Sequence, residues 1–257
     1  MIGEYFRPKS VDEALALLTE AGKDRLPMGG GTSLSRQQAG GFDVVDLQQV
    51  GLATITENAQ GMIAGAMVRL DTLMTHEKAH PEIGRAIRID ASENMRNMAT
   101  LGGWLLSGDG RSILTTILLA LDAKLTWAPG KVQVRLGDWL PLRGQNQPGV
   151  LLTEIGWQTG SQLAFDYVAR SPKDRPIVIA AVARWGSGRT RVALGGFGQA
   201  PIIAMDGMGS DGVDIASRDA YFEAEDQWAS AEYRREVAAR LALRCVTRLN
   251  AIKESEA

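Results

Sequence analysis

The stretch RLPMGGGTSLS, Arg25 to Ser35, decides how this 257-residue chain is read. It places three consecutive glycines, Gly29, Gly30 and Gly31, ahead of two hydroxyl side chains, Thr32 and Ser33, and then Leu34. Such a run can be a tight turn between strands, or a nest whose converging backbone N–H groups hold an anion. Two familiar phosphate loops do not fit. A P-loop needs a Lys after its last glycine, and none stands there. A Rossmann fingerprint needs a third glycine where Leu34 stands, and SRQQAGG is too short for a crossover helix. A turn or an anion nest with hydroxyl donors remains.

A second stretch bears on that choice. ATLGGW, Ala99 to Trp104, repeats the ingredients: a hydroxyl residue, Thr100, one aliphatic, Leu101, then Gly102 and Gly103. Two such loops far apart in sequence can grip a pyrophosphate from two sides. A third cluster, Gly108-Asp109-Gly110, follows closely.

Composition restricts the functional classes. The chain is 45% hydrophobic and 23% charged with a formal net charge of −2, as in ordinary globular proteins. Interspersed charges argue against a nucleic-acid or anionic-membrane partner. No apolar run is long enough to span a bilayer, and MIGEYFRPKS lacks the apolar core of a signal peptide, so a cytoplasmic location is expected. The single cysteine, Cys245, excludes an intrachain disulfide and any Fe–S cluster held by this chain alone. Its helical surroundings read as a buried packing position. His76 and His80 are four apart and could share a helical face, but with no third ligand evident a metal site is not expected.

The apolar pattern predicts an α+β protein. SVDEALALLTEAG is a helix capped by Ser10, with Glu13 three residues on and Gly22 as its stop. RLPMGG runs into the first glycines, FDVVDLQQV is a buried strand, and ATITENAQGMIAGAMV is a hairpin turning at Asn58–Gly61. Pro81 divides RLDTLMTHEKAHPEIGRAIRID into two helices. ILTTILLALDAKLTW is a core helix leading into a strand, and Pro129–Gly149 reads as exposed loops. Short strands are expected near Gln133, at Leu151–Ile155 and at Leu163–Val168. From about residue 161, three β segments turning at Gly186–Gly188 precede a helical end, which predicts a subdomain with a three-stranded sheet and helices.

Taken in order, these segments resemble the FAD-binding subunits and domains of molybdenum hydroxylases, including carbon monoxide dehydrogenase medium subunits and xanthine dehydrogenase flavin domains. The family's Ala-Gly-Gly-x-Ser-Leu appears as GGGTSL, Gly29 to Leu34, and its Thr-Ile-Gly-Gly-Asn as TLGGW, Thr100 to Trp104. FRPKSVDEALALL, VVDLQQV, AGAMVRLDTL, RVALGGFGQAP and SAEYRREVAARLALR match further family segments in sequence order. The resemblance implies a PCMH-type FAD-binding fold of two α/β subdomains over residues 1–160 and a C-terminal subdomain over 161–257. It implies FAD as cofactor, with the pyrophosphate held through backbone N–H groups of Gly29, Gly30, Gly31, Thr32, Ser33 and Leu34 and of Thr100, Leu101, Gly102 and Gly103. It implies electron transfer from a molybdenum site through a small subunit with two [2Fe-2S] clusters and a molybdopterin-bearing large subunit, and it admits a dimer of such heterotrimers. No catalytic side chain is required of this subunit.

The departures from the family lie at the flavin end. Trp104 replaces the family Asn, and Ile113 stands where a family Asp contacts the flavin side of the cofactor. Asp109 is the nearest substitute acceptor. A basic residue common after the Tyr of YVARS is absent, with only Arg170 in reach. Two functions remain open: FAD-dependent electron transfer, or a structural subunit that keeps the fold and docks the Mo and Fe–S partners.

Overall fold

The computed structural model of the chain describes residues 2–34, 41–59, 61–145 and 147–255; SRQQAG, at 35–40, lies outside them. The chain forms two compact units, each assembled from separate stretches. One comprises Met1–Glu77, Ala91–Ser107 and Lys124–Trp157, and the other Lys78–Asp90, Gly108–Ala123 and Gln158–Ala257.

The first unit opens with β1 (Ile2–Phe6), α1 (Val11–Leu18), β2 (Arg25–Met28) and β3 (Phe42–Asp46). The strands form a parallel sheet in the order β1-β3-β2. Helix α1 buries Ala14 beside Val45, Leu47 and Val50, with Leu15, Leu17 and Leu18 packed against them. Ser10 caps it as expected, accepting from the Glu13 N–H at 3.1 Å, but the Glu13 carboxylate reaches back to the N–H of Lys9 and not of Ser10. The helix stops at Leu18, short of Gly22, where the Thr19 hydroxyl takes the Leu15 carbonyl at 2.8 Å. Strand β1 was not expected, because its half-exposed edge residues carry no apolar alternation.

A five-stranded antiparallel sheet completes this unit, in the order β4-β5-β8-β6-β7. Its strands are β4 (Ile55–Asn58), β5 (Gly61–Gly65), β6 (Lys124–Ala128), β7 (Val132–Arg135) and β8 (Leu151–Trp157). The expected hairpin closes with Asn58 opposite Gly61. Besides α1, the unit contains the helices α2 (Leu70–Thr75), α4 (Glu93–Met98), α5 (Leu101–Ser107) and α7 (Leu136–Trp139). Pro129–Gly149 is therefore not simply exposed loop. It contributes β7 and α7 and buries Leu136, Trp139 and Leu140, with Trp139 tilted against Trp127 at 5.7 Å.

The second unit is built on an antiparallel sheet in the order β12-β11-β10-β9. The three expected strands form as β9 (Gln162–Val168), β10 (Val178–Arg184) and β11 (Arg189–Gly195), and a fourth, β12 (Ile202–Met208), adds an edge. Ile202, Ile203 and Met208 are exposed on this edge strand despite their apolar side chains. Helices α8 (Val213–Ala220) and α9 (Ala231–Ser255) cover Ala164, Val178, Ala180, Val182, Val192 and Leu194 on one face. On the other lies α6 (Ile113–Ala120), buried along its whole length, with α3 (Pro81–Asp90) beside it. Both α3 and α6 come from the first 160 residues of the sequence, yet they pack in this unit.

Cys245 sits inside α9 with its Sγ 3.7 Å from the Ala180 carbonyl, and burial pushes the thiol up to about 12. His76 ends α2 and His80 precedes α3, so the two share no helical face. Among the described residues no helix is long and apolar enough to cross a membrane.

Candidate functional site

The first glycine cluster begins where the parallel ladder ends. The Met28 carbonyl accepts the last ladder bond from the Leu47 N–H at 3.0 Å. Beyond it the chain leaves the sheet in turns through Gly29–Ser33, half-exposed apart from the exposed Ser33, with Gly31 at φ +72°. The missing side chains are required here for close approach. A Cβ on Gly29 would lie 2.6 Å from the Thr100 Oγ1, and one on Gly30 only 1.7 Å from the Met98 carbonyl oxygen. The two glycine clusters, about seventy residues apart in sequence, therefore lie directly against each other.

The second cluster is braced from behind by residues 66–70. Leu70 N–H donates to the Ala99 carbonyl at 3.0 Å, Leu101 N–H to Val68 at 2.8 Å and Gly102 N–H to Ala66 at 2.9 Å. A Cβ on Gly102 would sit 2.7 Å from that of Ala66, so this glycine serves packing. TLGGW is not a loop but the start of α5. Thr100 caps it, its Oγ1 accepting from the Gly103 N–H at 3.2 Å while its carbonyl takes the Trp104 N–H at 2.8 Å.

This geometry changes the donor set expected of the second cluster. The N–H groups of Leu101, Gly102, Gly103 and Trp104 are all hydrogen-bonded within the protein. What Thr100 can still give is its hydroxyl proton, because the Gly103 N–H engages that oxygen only as an acceptor. Gly103 is exposed and Trp104 half-buried, while Leu101 and Leu105 point into the core.

Asp109, Ile113 and Arg170 lie in the other unit. Asp109 makes a bidentate pair with Arg175, one contact being 2.7 Å, and accepts the Arg111 N–H at 2.8 Å. Burial would raise its pKa, but Arg175 and the Arg111 N–H outweigh that and hold it below the usual carboxylate value. Ile113 is fully buried at the start of α6. Beside it lies a carboxylate not singled out in the sequence. Asp90 accepts from the N–H groups of Ile113 at 2.9 Å and Leu114 at 2.8 Å and from the Ser112 hydroxyl at 2.9 Å. Burial raises Asp90 to about 6 against those hydrogen bonds. No spacing signal links Asp90 to residues more than twenty positions away. Arg170 lies over the Trp228 ring at 4.5 Å and faces Asp174 at 3.8 Å.

Comparison with known proteins bears on this arrangement. The family described as the FAD binding domain in molybdopterin dehydrogenase matches residues 1–156. The uncharacterized protein YgfM of Escherichia coli K12 is 27% identical over 242 residues, 91% of this chain and 92% of its own. The carbon monoxide dehydrogenase medium chain of Afipia carboxidovorans is 31% identical over 202 residues, 72% of this chain and 69% of its own. Among solved structures, reconstituted CO dehydrogenase from Oligotropha carboxidovorans superposes with a TM-score of 0.83 at 28% identity, covering 98% of this chain and 99% of that one. The chain belongs to the family of FAD-binding domains of molybdopterin dehydrogenases, a family of oxidoreductase subunits.

Proposed function

We propose that this chain is the FAD-carrying electron-transfer subunit of a molybdenum hydroxylase-type dehydrogenase, working between a [2Fe-2S] small subunit, a molybdopterin large subunit and an external acceptor. Residues 1 to about 160 carry the cofactor-binding function in this reading, and 161–257 form the family's C-terminal subdomain. The observation that carries it is the abutment of Gly29–Gly30 on Met98–Thr100, which joins the two family signatures into one junction.

The residues present fit the pyrophosphate of FAD. Gly31 adopts a left-handed turn with only the Met28 side chain near its missing Cβ, so the surrounding backbone can approach a ligand closely. Successive N–H groups of Gly29–Leu34 and the hydroxyls of Thr32, Ser33 and Thr100 donate to the phosphates, and Gly103 and Trp104 present the solvent-facing side of the second cluster. Neutral donors suffice for an anion in such a nest. When bound, FAD supplies the redox chemistry of its isoalloxazine ring.

Titration of the purified chain with FAD tests this reading. Stoichiometric appearance of the bound-flavin absorption bands supports it. No bound flavin at saturating FAD, with the chain folded, would leave the structural-subunit reading in its place.

A further inference from the structure

The connection between β9 and β10, residues 169–177, is long for a hairpin, whose loops usually run two to five residues. Its base closes normally, with the Ile177 N–H donating to the Val168 carbonyl at 2.8 Å. Residues 170–175 are all exposed, and they carry Arg170, Lys173 and Arg175. Within the loop the Asp174 N–H donates to the Ser171 carbonyl at 3.1 Å and Arg170 faces Asp174 at 3.8 Å, contacts that shape the segment without tying it to the rest of the unit.

What holds it comes from the turn Gly108–Arg111. The Arg111 side chain donates to two successive backbone carbonyls, those of Arg175 at 2.6 Å and Pro176 at 2.7 Å. Asp109 takes the Arg175 guanidinium in a two-pronged pair. That turn is itself fixed. Gly110 donates to the Gly198 carbonyl at 3.0 Å and accepts from Gly196 at 2.7 Å, and a Cβ on Gly110 would lie 1.8 Å from the Phe197 carbonyl oxygen. At the far end of the loop, Arg170 rests on Trp228, which also lies 5.1 Å from the Arg111 guanidinium. The Trp228 N–H is in turn held by Asp226 at 2.8 Å.

We propose that Ala169–Pro176 is a strap, fastened to the rigid Gly108–Arg111 turn by Asp109 and Arg111 and loosened, though not detached, when the Asp109–Arg175 pair breaks. The two fasteners differ in kind. Arg111 grips neutral carbonyls, which salt screens little. The Asp109–Arg175 pair is half-exposed on both sides, with side-chain exposures of 40% and 55%, so it is weak and salt-sensitive. A fastener of that strength biases the strap without locking it. Loosening frees the Arg175 fork, while Arg111 keeps its hold on the Arg175 and Pro176 carbonyls. The inference does not depend on the cofactor, because every group in it lies in one compact unit.

Hydrogen–deuterium exchange on the full-length chain tests it. Asp109→Asn and Arg175→Gln should each speed exchange across 170–175 by about fivefold, the most a pair of this exposure supports. Exchange in β9 and β10 should stay unchanged. Raising salt from about 0.02 M to about 0.5 M should produce a local rise in the unaltered chain and a smaller one in either variant, where the Arg170–Asp174 pair remains. Unchanged exchange at 170–175 in the variants, or a salt response as large in them as in the unaltered chain, would overturn the strap. A rise spread evenly over the whole unit would do the same.

Discussion

A Cβ at Gly30 would stand 1.7 Å from the Met98 carbonyl oxygen, and a backbone carbonyl in a braced segment cannot swing aside. Gly30→Ala is therefore expected to destabilise the chain by about 2–3 kcal/mol through overpacking and to abolish FAD binding. Gly31→Ala makes ordinary contact with the Met28 sulfur at 3.5 Å and costs only its left-handed backbone, about 1–2 kcal/mol. Urea unfolding of the cofactor-free chain would separate the two, and equal losses would argue against the packing at Met98. Thr100→Val removes the hydroxyl donor to the anion and the side-chain cap on Gly103 together. Its FAD affinity should fall about tenfold or more, as loss of a hydrogen bond to a charged group implies. Asp90 sets a pH dependence. Its folded-state pKa of about 6 lies above the ordinary 3.8, so its contribution is fully present below about pH 4 and is lost as pH rises through about 6. Unfolding measured between pH 4 and 7 should show this decline, and Asp90→Asn should remove that part of the slope.

Among the elements, α6 shows how a buried helix is tied down by charge. Its C-terminal turn ends at Asp122, at φ +56°, whose carboxylate pairs with Arg191, almost fully buried, and with Arg189 at 2.9 Å. Asp206 on β12 joins the same network, 2.7 Å from Arg189. Asp122→Ala should cost about 3–5 kcal/mol, because it weakens the compensation of a buried guanidinium. A loss under about 1 kcal/mol in thermal unfolding would contradict that role. The elements legible from sequence included α1, α6, the β4–β5 hairpin, β3, β6 to β8, the two helices on either side of Pro81, β9 to β11 and the helical end. Edge strand β1 was not, since Gly3, Glu4 and Tyr5 are exposed and break the alternation that identifies a strand, and β12 was missed although residues 202–205 are an apolar run. Helix α5 was hidden by its own glycines. Gly102 is there for contact with Ala66, and only the bracing by residues 66–70 shows that Gly102-Gly103 opens a helix and not a loop.

At the scale of the whole molecule, the order of the family motifs was readable, but the division of the chain into units was not. Helices α3 and α6 carry the apolar patterns of ordinary core helices, and periodicity does not say which sheet a helix covers. The candidate site was legible as two motifs, GGGTSL and TLGGW, because glycines forced by close approach leave a mark in the sequence. Asp90 and Arg175 left none, because a carboxylate or guanidinium that serves a distant backbone has no spacing rule. The central claim is that the junction of Gly29–Gly31 with Thr100 holds the pyrophosphate of FAD. The most direct measurement is FAD affinity by flavin fluorescence for the unaltered chain, Thr100→Val and Thr100→Ser. Tight binding by the unaltered chain and Thr100→Ser, with a loss of about tenfold or more in Thr100→Val, is the predicted result; equal affinity in all three would contradict it.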